Sequence, residues 1–221
     1  KKQKCLVELN SKPLLLHNDN FFKRFKKKII VTGYKHSQLK KISEKIGFRN
    51  IVNKKFSSTN MVHSLFLTKK LVKQDIVIVY GDVIFYDQIY NLLKSKKNIM
   101  PVNINWLKNW KMRMSFQNIL KDAENLIIKN NCLFEIGTKI NKKKLPEYQF
   151  MGIIKLQKKT FFKCYDFYLK QKNKKIDMTS FLNLCVKNKI LSLNIKKYKD
   201  YWYEIDTISD HKFAETEILK W

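Results

Sequence analysis

Apolar residues in this chain follow two rhythms. Short runs rich in β-branched side chains, Ile29-Ile30-Val31-Thr32, Asp75 through Asp82 and Ile99 to Ile104, read as strands. Their near-unbroken apolar character is that of strands buried on both faces, in a sheet covered by helices. Between them apolar positions recur at three- and four-residue spacing: Leu39, Ile42 and Ile46; Val62, Leu65, Phe66 and Leu71; Ile89, Leu92 and Leu93. Each set marks one face of an amphipathic helix, and Ser57, Ser58, Thr59 and Asn60 supply cap residues for the second. Alternation of strand and helix through Ile104 predicts a doubly wound α/β sheet.

The later half changes character. Asn125 to Lys129 and Cys132 to Ile136 flank Asn130-Asn131, which fits a two-residue hairpin turn. A strand over Phe150 to Leu156 precedes helices near 160–170 and 178–188, strands near Leu191–Ile195 and Trp202–Ile205, and a last helix after Ser209. With no internal repeat and no Pro/Gly/Ser-rich linker, residues 1–221 read as one α/β domain. The expected fold is Rossmann-like, a mixed and mostly parallel sheet flanked by helices.

Composition narrows the function classes. No apolar run approaches the roughly 18 residues that cross a bilayer, so no membrane insertion is expected. The four cysteines, Cys5, Cys132, Cys164 and Cys185, have no Cys-x-x-Cys spacing and read as reduced core thiols of a cytoplasmic protein. The net charge of +28 invites a nucleic-acid partner. Its source argues otherwise: 43 lysines accompany only 3 arginines, and base readout and phosphate clamping favour arginine. An AT-rich coding sequence accounts for the lysines, and no nucleic-acid partner is expected.

The candidate chemistry is carboxylate chemistry. Asp82 ends an apolar strand, and ligands of open α/β sheets bind in the crevice at the strands' carboxyl ends. Gly81 removes a side chain that would crowd that edge. Asp206 likewise ends a strand-like segment ahead of a helical pattern. Two carboxylates converging on one crevice suit Mg²⁺, whose usual charge is to manage phosphates. Taken singly, each aspartate also fits the role of capping a turn.

In chain order, Lys4 to Leu9 with Lys12-Pro13-Leu14-Leu15, Val31 to Tyr34, Thr59-Asn60 with Ser64-Leu65, Gly81-Asp82, Trp106 with Trp110 and Arg113, Ala123-Glu124, Met151-Gly152 and Glu204 to Thr207 form a series. That series resembles the nucleotidyltransferases related to phosphocholine and 2-aminoethylphosphonate cytidylyltransferases, over nearly the whole chain. The resemblance implies a Rossmann-like enzyme that joins CTP to a small phosphorylated or phosphonylated amine or alcohol, with release of pyrophosphate. It implies Asp82 and Asp206 as Mg²⁺ ligands, Lys4 as a phosphate-binding catalytic lysine, and Thr59, Asn60 and Ser64, with Gly33 and Tyr34, near the nucleotide. The product would serve decoration of a surface polysaccharide or lipid.

For the acceptor, Trp106 and Trp110 share a helix face and Trp202 adjoins the Asp206 strand with Glu204. These tryptophans either hold a cationic amine by cation–π contact, with Arg113 meeting the acceptor phosphate, or fill core. Glu124, Glu135 and Asp177 are further partners for an ammonium group, and the hairpin insertion is expected to form part of the acceptor site. One departure stands out. The family opens with a strand and a glycine-rich phosphate loop upstream of the segment matching Lys4 to Leu9. The chain is therefore expected to be amino-terminally incomplete relative to the working enzyme. The alternatives are a sugar-1-phosphate nucleotidylyltransferase and a basic nucleic-acid-binding module, and a homodimer is left open.

Overall fold

The computed structural model describes residues 3–140 and 145–218. A 3₁₀ turn at Lys4–Leu6 leads into the two-residue strands β1 (Glu8–Leu9) and β2 (Lys12–Pro13), then the short helices α1 (Leu14–His17) and α2 (Asp19–Lys23). The βα pattern follows as β3 (Lys28–Thr32), α3 (His36–Lys45), β4 (Phe48–Val52), α4 (Met61–Leu67), β5 (Ile76–Val79) and β6 (Val83–Phe85). Next come α5 (Ile89–Leu93), β7 (Ile99–Asn103), α6 (Trp106–Arg113), α7 (Phe116–Asp122), β8 (Glu124–Lys129) and β9 (Cys132–Lys139). The chain continues through β10 (Gln149–Phe150), β11 (Ile153–Leu156), α8 (Lys158–Leu169), α9 (Met178–Lys187), β12 (Asn194–Tyr198), β13 (Trp202–Glu204) and α10 (Ile208–Ile218).

The central sheet has the order β5-β11-β7-β12-β9-β8, with β10 also paired to β7. It is mixed and flanked by helices, as the sequence predicts, but its parallel content is lower than the apolar runs suggest. β7 and β12 pair in parallel, as do β3 and β4 in a separate ladder; the other pairings are antiparallel. The physical reason is that burial on both faces, not strand direction, is what an unbroken apolar run reports. Neighbouring residues bear this out: Ile99 and Ile153 join one buried cluster with Trp106, Trp110 and Trp202, while Met100 and Ile154 join another with Phe66, Phe161 and Phe181.

The hairpin forms as its sequence predicts. Asn130 and Asn131 both take positive φ (49° and 60°) and join Lys129 to Cys132 directly across the ladder, the backbone that a two-residue primed turn demands. Two boundaries differ. Asp75 to Asp82 does not continue as a strand, because β5 stops at Val79 and Gly81-Asp82 form a turn into β6. The strand expected over Phe150–Leu156 is broken at Gly152, whose φ of +71° no ladder residue adopts. Its carbonyl accepts from the Tyr80 amide at 2.9 Å, tying the break to the end of β5. The four cysteines are free thiols, and among the described residues no helix is long and apolar enough to cross a membrane.

A Cβ on Gly152 would sit 2.9 Å from Cγ of Tyr80, on a backbone that already disfavours one. Gly152→Ala is expected to lower the unfolding free energy by about 1–3 kcal/mol. A urea titration giving an unchanged midpoint would show that Tyr80 yields freely.

Candidate active site

Asp82 and Asp206, 124 positions apart, are brought together by backbone pairing. β13 runs antiparallel to β6 with Glu204 opposite Val83, and the Ile205 amide donates to the Asp82 carbonyl at 2.9 Å. Each acid therefore leaves the same end of one two-stranded ribbon. Behind Asp82, buried Asn18 clamps β6: its Nδ2 donates to the Val83 carbonyl at 2.8 Å, and its Oδ1 accepts from the Phe85 amide at 3.3 Å.

The Asp206 side has its own brace. Thr207 and Asp210 form a reciprocal capping box at the start of α10. The Thr207 amide donates to Asp210 Oδ2 at 2.8 Å, and the Asp210 amide donates to Thr207 Oγ1 at 3.1 Å. The Asp206 amide also donates to Asp210 Oδ2, at 3.1 Å. The other oxygen of Asp210 meets the Arg113 guanidinium in an ion pair whose side chains are only 3% and 4% exposed. Arg113 thus holds the Asp206 loop through Asp210.

Lys4 closes the cluster. Its Nζ lies 3.4 Å from Asp82 Oδ2 and donates to Asp206 Oδ1. Burial pushes the Asp82 carboxyl upward, the Lys4 ammonium opposes this, Asp206 adds to it, and the net shift is upward. Burial lowers the pKa of Lys4, but the carboxylates of Asp206 and Asp82 more than offset it. Glu204 is the most perturbed of the three acids: burial, then the charges of Asp206 and Asp82, push it up to about 8. Among the described residues no three histidine, cysteine, aspartate or glutamate side chains gather into an all-protein metal cage.

Two hollows meet at this cluster. One is a groove of about 300 Å³ lined by Gln3, Lys4, Thr32, Gly33, Tyr34 and Asp82. The other is a cavity of about 580 Å³ whose wall carries Asp122, Glu124, Asp177, Glu204, Asp206 and Asp210. A third of the chain's 18 acids face this cavity, and among the described residues no lysine does, in a protein of net charge +28. Thr179 joins its floor, with Oγ1 3.0 Å from both Glu124 Oε1 and Asp177 Oδ1. Asp177 caps α9 by accepting from the Ser180 amide at 2.8 Å. Burial raises Asp177, but the hydrogen bonds from Ser180 and Thr179 outweigh it and hold the group below the usual carboxylate range. Glu124 goes the other way: burial raises it and the Thr179 bond only partly compensates.

The remaining predicted residues divide. Gly33 and Tyr34 line the groove. Thr59 and Ser64 accept from Nδ2 of buried Asn53, each at 3.0 Å, and Asn60 caps α4. Trp106 and Trp202, each 1% exposed, are core side chains. Magnitude explains why: a buried indole removes about 150–250 Å² from water, worth ~4–6 kcal/mol, against 0.5–2 kcal/mol for one cation–π contact. Trp110 is buried too and touches the cavity, with the Arg113 guanidinium 5.2 Å above its ring. Glu135 is bound to Asn125, Thr138 and Lys187 and does not line the cavity. A Cβ on Gly81 would make only ordinary contact with Cys5 at 3.7 Å, so that glycine opens no space against the protein itself.

The pattern-based reading misses Asp210, Thr179, Gln149 and Asn53. Two carried a local signal: Thr207-x-x-Asp210 is a capping box, and Asp177 to Ser180 is a helix start. Gln149 and Asn53 carried none.

The fold and the site together are a mixed α/β sheet with paired acids at the mouth of two adjoining hollows. No family model matches the chain. It is 30% identical over 227 residues, 94% of this chain and 88% of the relative, to the CTP:phosphoglutamine cytidylyltransferase of Campylobacter jejuni. It is 32% identical over 90 residues, 40% of this chain and 39% of the relative, to the choline-phosphate cytidylyltransferase of Streptococcus pneumoniae. The chain belongs to the cytidylyltransferase family. Solved structures agree in fold: the CTP:phosphocholine cytidylyltransferase of S. pneumoniae superposes with a TM-score of 0.71 at 19% identity, covering 99% of this chain and 90% of that one. The inositol-1-phosphate CTP transferase of T. maritima superposes at 0.74 with 16% identity, covering 98% and 87%.

Two outcomes follow from the electrostatics. The native pKa of Glu204 lies above its unfolded value, so the folded state holds the extra proton between about 4.5 and about 8 and loses stability as pH rises through that window. Glu204→Gln carries no such charge. Without divalent cations, the melting temperature of the variant minus that of the wild type should grow from pH 5 to pH 8.5, and a flat difference would refute the burial. Separately, Arg113→Gln leaves the Asp210 carboxylate buried and unpaired, which should cost about 3–5 kcal/mol of stability by chemical denaturation.

Proposed function

We propose that this protein transfers the cytidylyl group of CTP to the phosphate or phosphonate of a small amine-bearing acceptor, releasing pyrophosphate. The observation that carries this reading is the junction of the two hollows. Asp82 faces the groove, Asp206 faces the acidic cavity, and the Lys4 ammonium touches both acids. A nucleotide in the groove and an acceptor in the cavity would bring their phosphates together there. The acidic wall suits a cationic acceptor and gives a neutral hexose no charge to answer.

In this reading an acceptor oxygen forms a bond to the α-phosphorus of CTP as the bond to the bridging oxygen of the β-phosphate breaks, and pyrophosphate leaves with that electron pair. The attacking oxygen is already ionised near neutrality, so no general base is needed. The barrier is the approach of two anions, and alignment and charge screening lower it. Lys4 screens directly. The donor set fits Mg²⁺, which takes one or two carboxylates and completes its shell with phosphate oxygens and water. Asp82 and Asp206 would hold the ion, which supplies charge neutralisation on the phosphates. The raised pKa of Glu204 keeps a third negative charge off the cluster at neutral pH. We place the reaction in the cytoplasm, where CTP is made, its product serving decoration of surface glycans or lipids.

Pyrophosphate release with each nucleoside triphosphate, Mg²⁺ and a panel of phospho-amines tests the reading. Asp82→Asn and Asp206→Asn should each reduce the CTP-dependent rate by roughly 10²–10³-fold. Turnover of UTP or dTTP with a hexose phosphate, and none of CTP, would overturn it.

A further inference from the structure

The acidic cavity holds a hydrogen-bond acceptor with nothing to accept from. Gln149, 6% exposed, begins β10 opposite Asn103 of β7, and its side chain forms part of the cavity wall. Its Oε1 is buried and has no hydrogen-bond partner among the described residues. Such an atom destabilises the fold until a donor arrives, and the cavity that Gln149 lines offers space for one.

The neighbouring groups repeat the shortage. The Thr179 hydroxyl lies 3.0 Å from both Glu124 Oε1 and Asp177 Oδ1 but has a single proton to give; Asp177 Oδ1 also accepts from the Ser180 amide, so the oxygen left short is that of Glu124 whenever the proton goes to Asp177. Among the described residues the one cation on the wall is Arg113, which pairs with Asp210. Rings are present but not arranged as an open box of faces. Tyr80 and Phe150 pack edge to face on each other at 5.8 Å, and Trp110 carries Arg113. A quaternary ammonium has no N–H and is held by aromatic faces, whereas a primary ammonium brings three donors and needs acceptors.

We propose that the cavity selects an acceptor whose cationic end is a primary ammonium, its N–H groups donating to Gln149 Oε1 and to the carboxylates of Glu124 and Asp177, with Gln149 the specificity-determining residue. This rests on the cavity being the acceptor's, as read above. A trimethylammonium group would fill the same volume and leave Gln149 Oε1 unpaired, the circumstance in which sites built around a substrate N–H reject the analogue that lacks it.

The probes are phosphoethanolamine and phosphocholine, which share phosphate and spacer and differ by three methyl groups on nitrogen. Calorimetric binding of each without CTP, and pyrophosphate release with CTP and Mg²⁺, are measured on the wild type and on Gln149→Met. The wild type should favour phosphoethanolamine by roughly tenfold or more, and in the variant that ratio should collapse toward one. The variant should melt no lower than the wild type, since an apolar group of similar shape replaces an unpaired one. Equal affinity, a preference for phosphocholine, a preference that survives in the variant, or no binding of either probe overturns the inference. Ammonium-selective binding with no pyrophosphate from any nucleotide would leave it standing and remove the transfer reaction; equal turnover of both probes would do the reverse.

Discussion

The antiparallel contact between β6 and β13 is the constraint on which the site depends. It is only three residues long, yet its register fixes which atoms meet: with Glu204 opposite Val83, the Ile205 amide reaches the Asp82 carbonyl and the two acids emerge side by side. A slip of one residue would turn Glu204 and Trp202 onto the opposite face. Trp202, buried between Trp110 and the Met151 carbonyl that its indole N–H reaches at 3.1 Å, resists that slip. Trp202 therefore serves the site from behind, by holding register, while Trp110 also reaches the cavity wall.

Charge is organised against the background of the chain. The chain carries forty-six basic residues, yet the cavity beside Asp206 is lined by carboxylates. Exposed lysines are screened within about 8 Å at physiological salt, so they do little to the cavity potential. The partly buried acids are screened far less: burial pushes Asp82, Glu124 and Glu204 upward, and the charges of neighbouring carboxylates add to it. Such an arrangement costs stability and is retained where a cation or metal relieves it. The same cluster can thus gather two anions at Lys4 while offering a cation-binding wall next door.

The brace behind Asp206 shows how one side chain can serve several ends. Asp210 caps α10, accepts from the Asp206 and Thr207 amides and neutralises buried Arg113. Arg113 in turn covers Trp110. Removing either charge would loosen the helix start, the Asp206 loop and one wall of the cavity together.

The amino-acid sequence by itself determined the local elements and the chemical types. The βα alternation, the Asn130-Asn131 hairpin, the cap at Asn60 and the acids Asp82 and Asp206 as candidate groups were legible, because periodicity, turn chemistry and caps act over a few residues; that Asp82 lies in the turn between β5 and β6 was not. It did not determine strand direction, since an apolar run is the same whichever way its neighbour points. Nor could it tell that Trp106 and Trp202 fill core, that Arg113 is spent on Asp210, or that Gln149 has an idle oxygen in an acidic wall. Those outcomes depend on which groups remain unpaired after long-range packing is complete, and only the tertiary structure decides that.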